Sequence, residues 1–216
     1  MNKSFFDLPL YQDDINTMLE KNNIRELLEY ERYTRDNLMF DEQKECYSKY
    51  GSRVRITWYD GDGREFVEKS KELAKKQKDG LYRSPKHKIY NTFIWINGDK
   101  AVAEMQTMMG AIEVVDEKEY LRNGWARLLY KVQKEDGVWK IKGLDCIYER
   151  DTIAPIVSSK EGLLDEKEFS KYRPSYKCIS WVFEKNGMPC NPDLPGDDKL
   201  ETIQKLYDET SKWLYN

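Results

Sequence analysis

The chain carries one histidine, His87, and no other side chain titrates near pH 7 in its unperturbed state. His87 sits just ahead of a strand–turn–strand pattern. Thr92-Phe-Ile-Trp-Ile-Asn97-Gly98-Asp99 is followed by Lys100-Ala-Val-Ala-Glu-Met105, and Asn-Gly between such runs predicts a hairpin. A histidine beside such a strand is the first candidate for a general base. Flanked by Lys86 and Lys88, it reads equally as a solvated loop residue. A second group of interest is Tyr30, Tyr33 and Asp36. Tyr33 stands at i−3 from Asp36, so the two share a helix face if the helix persists. A phenol there can donate to a substrate oxygen. An ion pair of Asp36 with Arg32 or Arg35 is the alternative. Arg127, on a predicted strand, is a candidate contact for an anionic substrate group, or an exposed strand cation. Trp95, Met105 and Met109 fall at strand spacing, as core residues or as a pocket wall.

The elements that must position these groups follow from periodicity. Asn22 or Asn23 can cap a helix with Ile24, Leu27 and Leu28 on one face, running to about Asp36. A short helix with Phe40 and Tyr47 follows. Val54 to Tyr59 alternates as a strand and ends in the turn Asp60-Gly-Asp-Gly63. Arg64 to Lys78 is predicted helical, with Phe66, Val67, Ser70, Leu73 and Ala74 turned inward. After the first hairpin, Trp125 to Val132 and Val138 to Lys142 are joined at Asp136-Gly137. Helices first and meandering strands afterwards argue an α+β fold, with the helices on one face of a curved sheet. Beyond residue 150 the pattern changes. Arg150 and Asp151 read as a structural pair at the end of the sheet, and Asp151-Thr-Ile-Ala-Pro155 breaks the strand. A short helix at Cys178 to Lys185, a Pro/Gly/Asp loop at 191–198 and an amphipathic last helix from Leu200 to Leu214 complete the chain. Residues 1–150 are expected to form the main domain. Residues 151–216 are expected to be an extension packed on it or at an oligomer contact.

Composition narrows the classes. At 216 residues the chain can bury its own core, and its 35% charged residues nearly cancel to a net charge of −3. That balance leaves no electrostatic footprint for nucleic acid. The four cysteines form no CxxC pair and have no histidine partners, so no metal is expected and the thiols are expected to be reduced. No apolar run is long enough to span a bilayer. A cytoplasmic location without membrane contact is therefore the expectation. Six Trp, 15 Tyr and seven Phe suit an aromatic-lined cavity as well as an ordinary core.

Several strings, taken in order, resemble the SnoaL-like branch of the nuclear transport factor 2-like superfamily. They are Ile24-Arg-Glu-Leu27 with Arg32-x-x-Arg35-Asp36, then Trp58-Tyr-Asp-Gly-x-Gly-Arg-Glu-Phe66, then His87 with Asn91. Asn97-Gly-Asp99-x-Ala101 and Arg127 through Asp136-Gly-x-Trp139-x-Ile141 complete the set. The resemblance covers roughly residues 15–150. Ile147-Tyr-Glu-Arg-Asp151 and Asp193-Leu-Pro-Gly-Asp-Asp198 resemble a longer subgroup.

The resemblance implies a cystatin-like α+β barrel: a cone-shaped, antiparallel or mixed sheet wrapped on the N-terminal helices around an apolar pocket, with a C-terminal helical extension. Polyketide cyclases, scytalone-type dehydratases, ketosteroid isomerases and bile-acid 7α-dehydratases belong to this group, and they move a proton next to a carbonyl without a cofactor. Carried over residue by residue, it implies that Asp36 points into the cone and that His87 enters it before the hairpin strand. His87 and Asp36 would then be the acid–base pair, with Tyr33 or Tyr30 stabilising an oxyanion. Trp58, Asn91, Trp95 and Arg127 would contact substrate. The expected function is a cofactor-independent dehydratase acting on a hydroxylated, carbonyl-bearing polycyclic molecule such as a steroid or bile-acid derivative. An isomerase, a cyclase and a non-catalytic ligand-binding module are the alternatives. A dimer or trimer is the expected assembly.

Overall fold

Long strands dominate the computed structural model, which describes residues 3–11, 13–77, 79–157 and 164–216. Helix α1 spans Ile15–Asp36, α2 Phe40–Cys46 and α3 Gly63–Lys76. Strands β1 (Arg53–Ile56) and β2 (Tyr59–Gly61) lie between α2 and α3. Four strands follow: β3 (Lys86–Asn97), β4 (Lys100–Val115), β5 (Lys118–Glu135) and β6 (Val138–Pro155). Helices α4 (Lys177–Lys185) and α5 (Leu200–Tyr215) close the chain. The six strands form one sheet in the order β2-β1-β6-β5-β4-β3, antiparallel except for the parallel pair β1 and β6.

Helix α1 begins before the asparagines expected to cap it. Asp14 accepts from the amides of Asn16 and Thr17 at 2.8 and 3.0 Å, so the helix gains more than two turns on its N-terminal side. What reads as one strand from Val54 to Tyr59 is a tight hairpin turning at Thr57-Trp58. Asp62 caps α3 through the amides of Arg64 and Glu65. Lys78, the last residue of the predicted third helix, lies outside the described residues. The turn at Asp136-Gly137 falls where its residues predict it, and the first hairpin turns at Gly98-Asp99, one residue beyond the predicted Asn97-Gly98, because Asn97 pairs with Lys100. The β4–β5 turn is carried by Asp116 and Glu117, both at positive φ (48° and 63°) without a glycine. That is why β4 and β5 run longer than their sequence suggests.

Alternation along the strands sorts the side chains onto two faces. Ala101, Ala103 and Met105 of β4 face inward with Leu128 and Tyr130 of β5, against Ile24 and Leu28 of α1 and Phe66 and Val67 of α3. Val102 and Leu129 face outward, where they meet Phe5 and Ile203, Leu206 and Leu214 of α5. Helices therefore cover both faces of the sheet, rather than one as the element order implied. A third cluster joins α4 to Val115 and Tyr120 at the open end of the cone.

Candidate active site

A cavity of about 610 Å³ opens between α1, α3, α4 and the inner face of the sheet. Phe40, Trp58, Phe66, Trp125, Tyr148 and Phe183 supply its aromatic wall. The ring centroids of Trp58 and Phe66 lie 5.4 Å apart. A volume in this range suits a multi-ring small molecule.

His87 enters the cavity from the start of β3, and Asp36 holds it from the last residue of α1. The carboxylate grips one residue twice. Its Oδ1 lies 2.6 Å from His87 Nδ1, and its Oδ2 accepts the His87 backbone N–H at 2.5 Å. The side chains are only 6% and 11% exposed. Ser84 Oγ and Lys86 Nζ donate to the Asp36 carbonyl at 3.0 and 2.5 Å, tying the end of the helix to the start of the strand. The flanking lysine that suggested a solvated histidine thus anchors the pair.

The charge states follow from these contacts. Burial pushes the Asp36 carboxyl up, but the hydrogen bonds and proximity of His87 outweigh it and hold the group below its ordinary value. Burial, reinforced by the fields of Arg32 and Arg35, holds His87 below 6.5 against the opposing pull of Asp36. An ionised Asp36 beside a neutral imidazole places the proton on Nδ1, since a carboxylate can only accept. Among the described residues no protein group hydrogen-bonds Nε2, which is left with its lone pair free. A neutral imidazole so fixed can take a proton from a carbon acid.

Beneath the pair lies a buried ionic network. Arg32 forms a two-pronged bond to Glu31, with Nη2 to Oε1 at 2.6 Å. Gln43 and Tyr47 donate to the same carboxylate at 2.7 and 3.0 Å. Burial raises Glu31, while Arg32 and Gln43 lower it further, so it stays ionised. Tyr148 is the tyrosine of this cavity. Its hydroxyl oxygen accepts the Thr57 amide at 3.0 Å, and its O–H has the Cys146 thiol, a weak acceptor, as its neighbour, which a substrate oxygen can displace. Burial pushes the thiols of Cys46, Cys146 and Cys178 up to about 12, so none offers a thiolate at neutral pH. Among the described residues no group of three or more His, Cys, Asp or Glu side chains is placed to hold a metal ion, and no helix is long and apolar enough to cross a membrane.

His87 and Trp58 thus line the cavity, Asp36 stands behind His87 without lining it, and the other five expected site residues lie elsewhere. Tyr30 and Tyr33 are 45% and 59% exposed. The buried stripe of α1 runs through Ile24, Leu28, Glu31 and Arg32, and Asp36 lies at its rim. Tyr33 falls just beyond that rim, on the solvent side. Asn91 is exposed and donates to Gln106 at 3.1 Å. A bulge between Ile89 and Thr92 inserts one residue, so the inward positions run His87, Ile89, Thr92, Ile94, and Asn91 is turned out. The same shift sends Trp95 to the outer face, where its ring lies 5.0 Å from Phe5. Arg127 alternates with inward Ala126 and Leu128 and faces outward to Asp197 at 2.9 Å and Glu149 at 3.5 Å. Arg150 and Asp151 do not pair with each other. Arg150 stacks on Trp125 at 5.3 Å, and Asp151 accepts the amides of Cys178 and Ile179 at 3.0 and 2.8 Å.

That last contact caps α4 from a strand, and it docks Ile179, Val182 and Phe183 over the cavity. Tyr148 also pairs with the 195–197 segment, donating to Pro195 O at 2.9 Å and accepting from the Asp197 amide at 3.0 Å. The two strings that resemble a longer subgroup are therefore in contact, and the C-terminal segment forms part of the cavity wall.

No protein-family model matches the chain. It is 25% identical over 207 residues to pea pathogenicity protein 2 of Fusarium vanettenii, spanning 91% of this chain and 86% of that protein. Among solved structures it resembles a putative scytalone dehydratase from Novosphingobium aromaticivorans (TM-score 0.51, 16% identity, 66% of this chain and 91% of that one). It also resembles the hexachlorocyclohexane dehydrochlorinase LinA-type3 of Novosphingobium barchaimii (TM-score 0.52, 14% identity, 71% and 99%). The chain has the α+β fold that these structures share.

Proposed function

We propose that the protein is a lyase that removes water from a hydroxylated, carbonyl-bearing ring compound without a cofactor. The observation that carries this reading is the Asp36–His87 pair in an aromatic-walled cavity, with Nε2 free. His87 Nε2 takes the proton from the carbon next to the carbonyl. The C–H electron pair forms the new double bond as the C–O bond breaks. The imidazolium returns the proton to the departing hydroxide, which leaves as water and restores neutral His87. Asp36 holds the tautomer and stabilises the transient imidazolium. Tyr148 donates to the carbonyl oxygen as charge develops there, a contribution on the order of 10²–10³-fold. A dehydratase-named and a dehydrochlorinase-named structure with this fold support elimination as the reaction class. Size supports a polycyclic substrate, with a steroid or bile-acid skeleton as the proposed type.

The test is a panel of hydroxylated 3-oxo steroids, followed by absorbance of the new conjugated ketone and by mass for loss of water. The wild type is expected to convert a member of the panel. His87→Gln is expected to lose at least about 10²-fold in turnover while still binding substrate. Turnover undiminished in His87→Gln contradicts the mechanism, and a shifted double bond without loss of water makes the protein an isomerase.

A further inference from the structure

We infer that the cavity selects an anionic substrate, an apolar ring compound whose carboxylate is held by Arg35. The inference rests on the cavity being the substrate site and adds what that site recognises.

Arg32 is spent on Glu31, Asp36 on His87, and Arg122 on Glu113 at 2.8 Å. Asp151 is taken up by the α4 amides. Lys76 and Arg150 stand exposed at the rim. Arg35 differs from all of these: it lines the cavity interior and has no carboxylate partner among the described residues. One N–H bonds Ser70 Oγ at 2.9 Å, and the guanidinium carbon lies 4.8 Å from the centroid of Phe66. Ser70 is itself fixed, donating to the Phe66 carbonyl at 2.7 Å. The guanidinium plane is thus held by a ring and a hydroxyl, and its remaining N–H groups have no protein acceptor among the described residues. A planar fork of this kind matches a carboxylate in two-pronged fashion. Burial and the like charge of Arg32 outweigh the fields of Glu31 and Asp36 and hold Arg35 below its ordinary value. Arg35 and His87 line the same cavity, so a carboxylate on Arg35 shares its space with the base. Its apolar body would lie along Trp58 and Phe66.

Isothermal titration with 2-naphthoate and with its neutral counterpart 2-naphthamide tests this on the full-length protein. The wild type is expected to bind naphthoate about ten- to a hundredfold more tightly than the amide, the range of a charge-assisted contact. Arg35→Gln is expected to abolish that preference and leave amide affinity within about threefold. Arg35→Lys, which keeps the charge, is expected to retain part of it. His87→Gln is expected to keep the preference, so failure of the catalytic reading and failure of this one are read separately. Equal affinities in the wild type, or binding of neither probe, overturn the inference whatever the variants do. A preference that survives in Arg35→Gln overturns it as well.

Discussion

Replacing Asp36 by Asn keeps the shape of the site and removes its logic. The carboxylate accepts two donors from one residue, the backbone N–H of His87 at 2.5 Å and Nδ1–H at 2.6 Å. An amide has one acceptor oxygen. The backbone N–H cannot invert, so the oxygen must stay with it. The amide NH₂ then faces Nδ1, which can accept only if it is unprotonated. The imidazole proton moves to Nε2, and the lone pair that faced the cavity is gone. A charge-assisted hydrogen bond in this setting contributes about 1.5–3 kcal/mol. Its loss is expected to lower unfolding free energy in urea at pH 7 by that amount. The reversed tautomer is expected to cost on the order of 10⁴-fold in turnover, the scale of the corresponding change in serine-protease triads. Because His87 is the one histidine, the side-chain ¹⁵N spectrum reports the tautomer directly. Asp36→Asn with stability within about 0.5 kcal/mol of wild type and the proton still on Nδ1 would refute this reasoning.

Other consequences are independent of turnover. His87 is held below its unfolded value of 6.5, so the unfolded state binds the extra proton as pH falls. Its contribution to stability is full above pH 6.5 and is lost below it, down to the folded value, with a slope of at most about 1.4 kcal/mol per pH unit. Glu149 and Asp151 are raised by burial and act with the opposite sign in acid. Urea titrations of wild type against His87→Gln isolate the histidine: the difference is expected to shrink as pH falls from 7 to 5, and a constant difference contradicts the assignment. Glu31→Gln strands Arg32 in the interior and is expected to destabilise the fold by about 3–5 kcal/mol, measured by urea unfolding. Asp151→Ala removes the cap of α4. It is expected to cost about 1–2 kcal/mol and to speed amide exchange selectively in residues 177–185. Uniform exchange across the chain would show that α4 is held by its apolar face alone.

The fold was legible where local signals are strong. Asp136-Gly137 and Asn97-Gly98 announce hairpins, and the inward residues of α3 follow from helical spacing. The turn at Asp116-Glu117 was not, because one Asp with no Gly, Asn or Pro beside it is a weak cue and the pairing of long strands holds both residues at positive φ. His87 was legible as a candidate through its type and Asp36 through the family resemblance, while the contact of a helix end with a strand start appears only in the folded chain. Asn91 and Trp95 were misplaced by a single bulge, which rephases everything after Ile89 and leaves no mark in composition. Arg35 and Tyr148 were passed over for a different reason. Their roles depend on what neighbouring groups have already taken up, and Ser70 and Thr57 lie far away in sequence. Asp151 caps a helix from a strand, a contact that no local capping pattern encodes.

The claim on which the account turns is that His87 is a neutral imidazole at pH 7 with its proton on Nδ1 and Nε2 free. A ¹⁵N-labelled sample, followed by long-range ¹H–¹⁵N correlation from pH 4 to 8, measures both parts. A protonated Nδ1 and an unprotonated Nε2 are expected at pH 7, with a titration midpoint below 6.5. An imidazole that is doubly protonated at pH 7, or that carries its proton on Nε2, contradicts it.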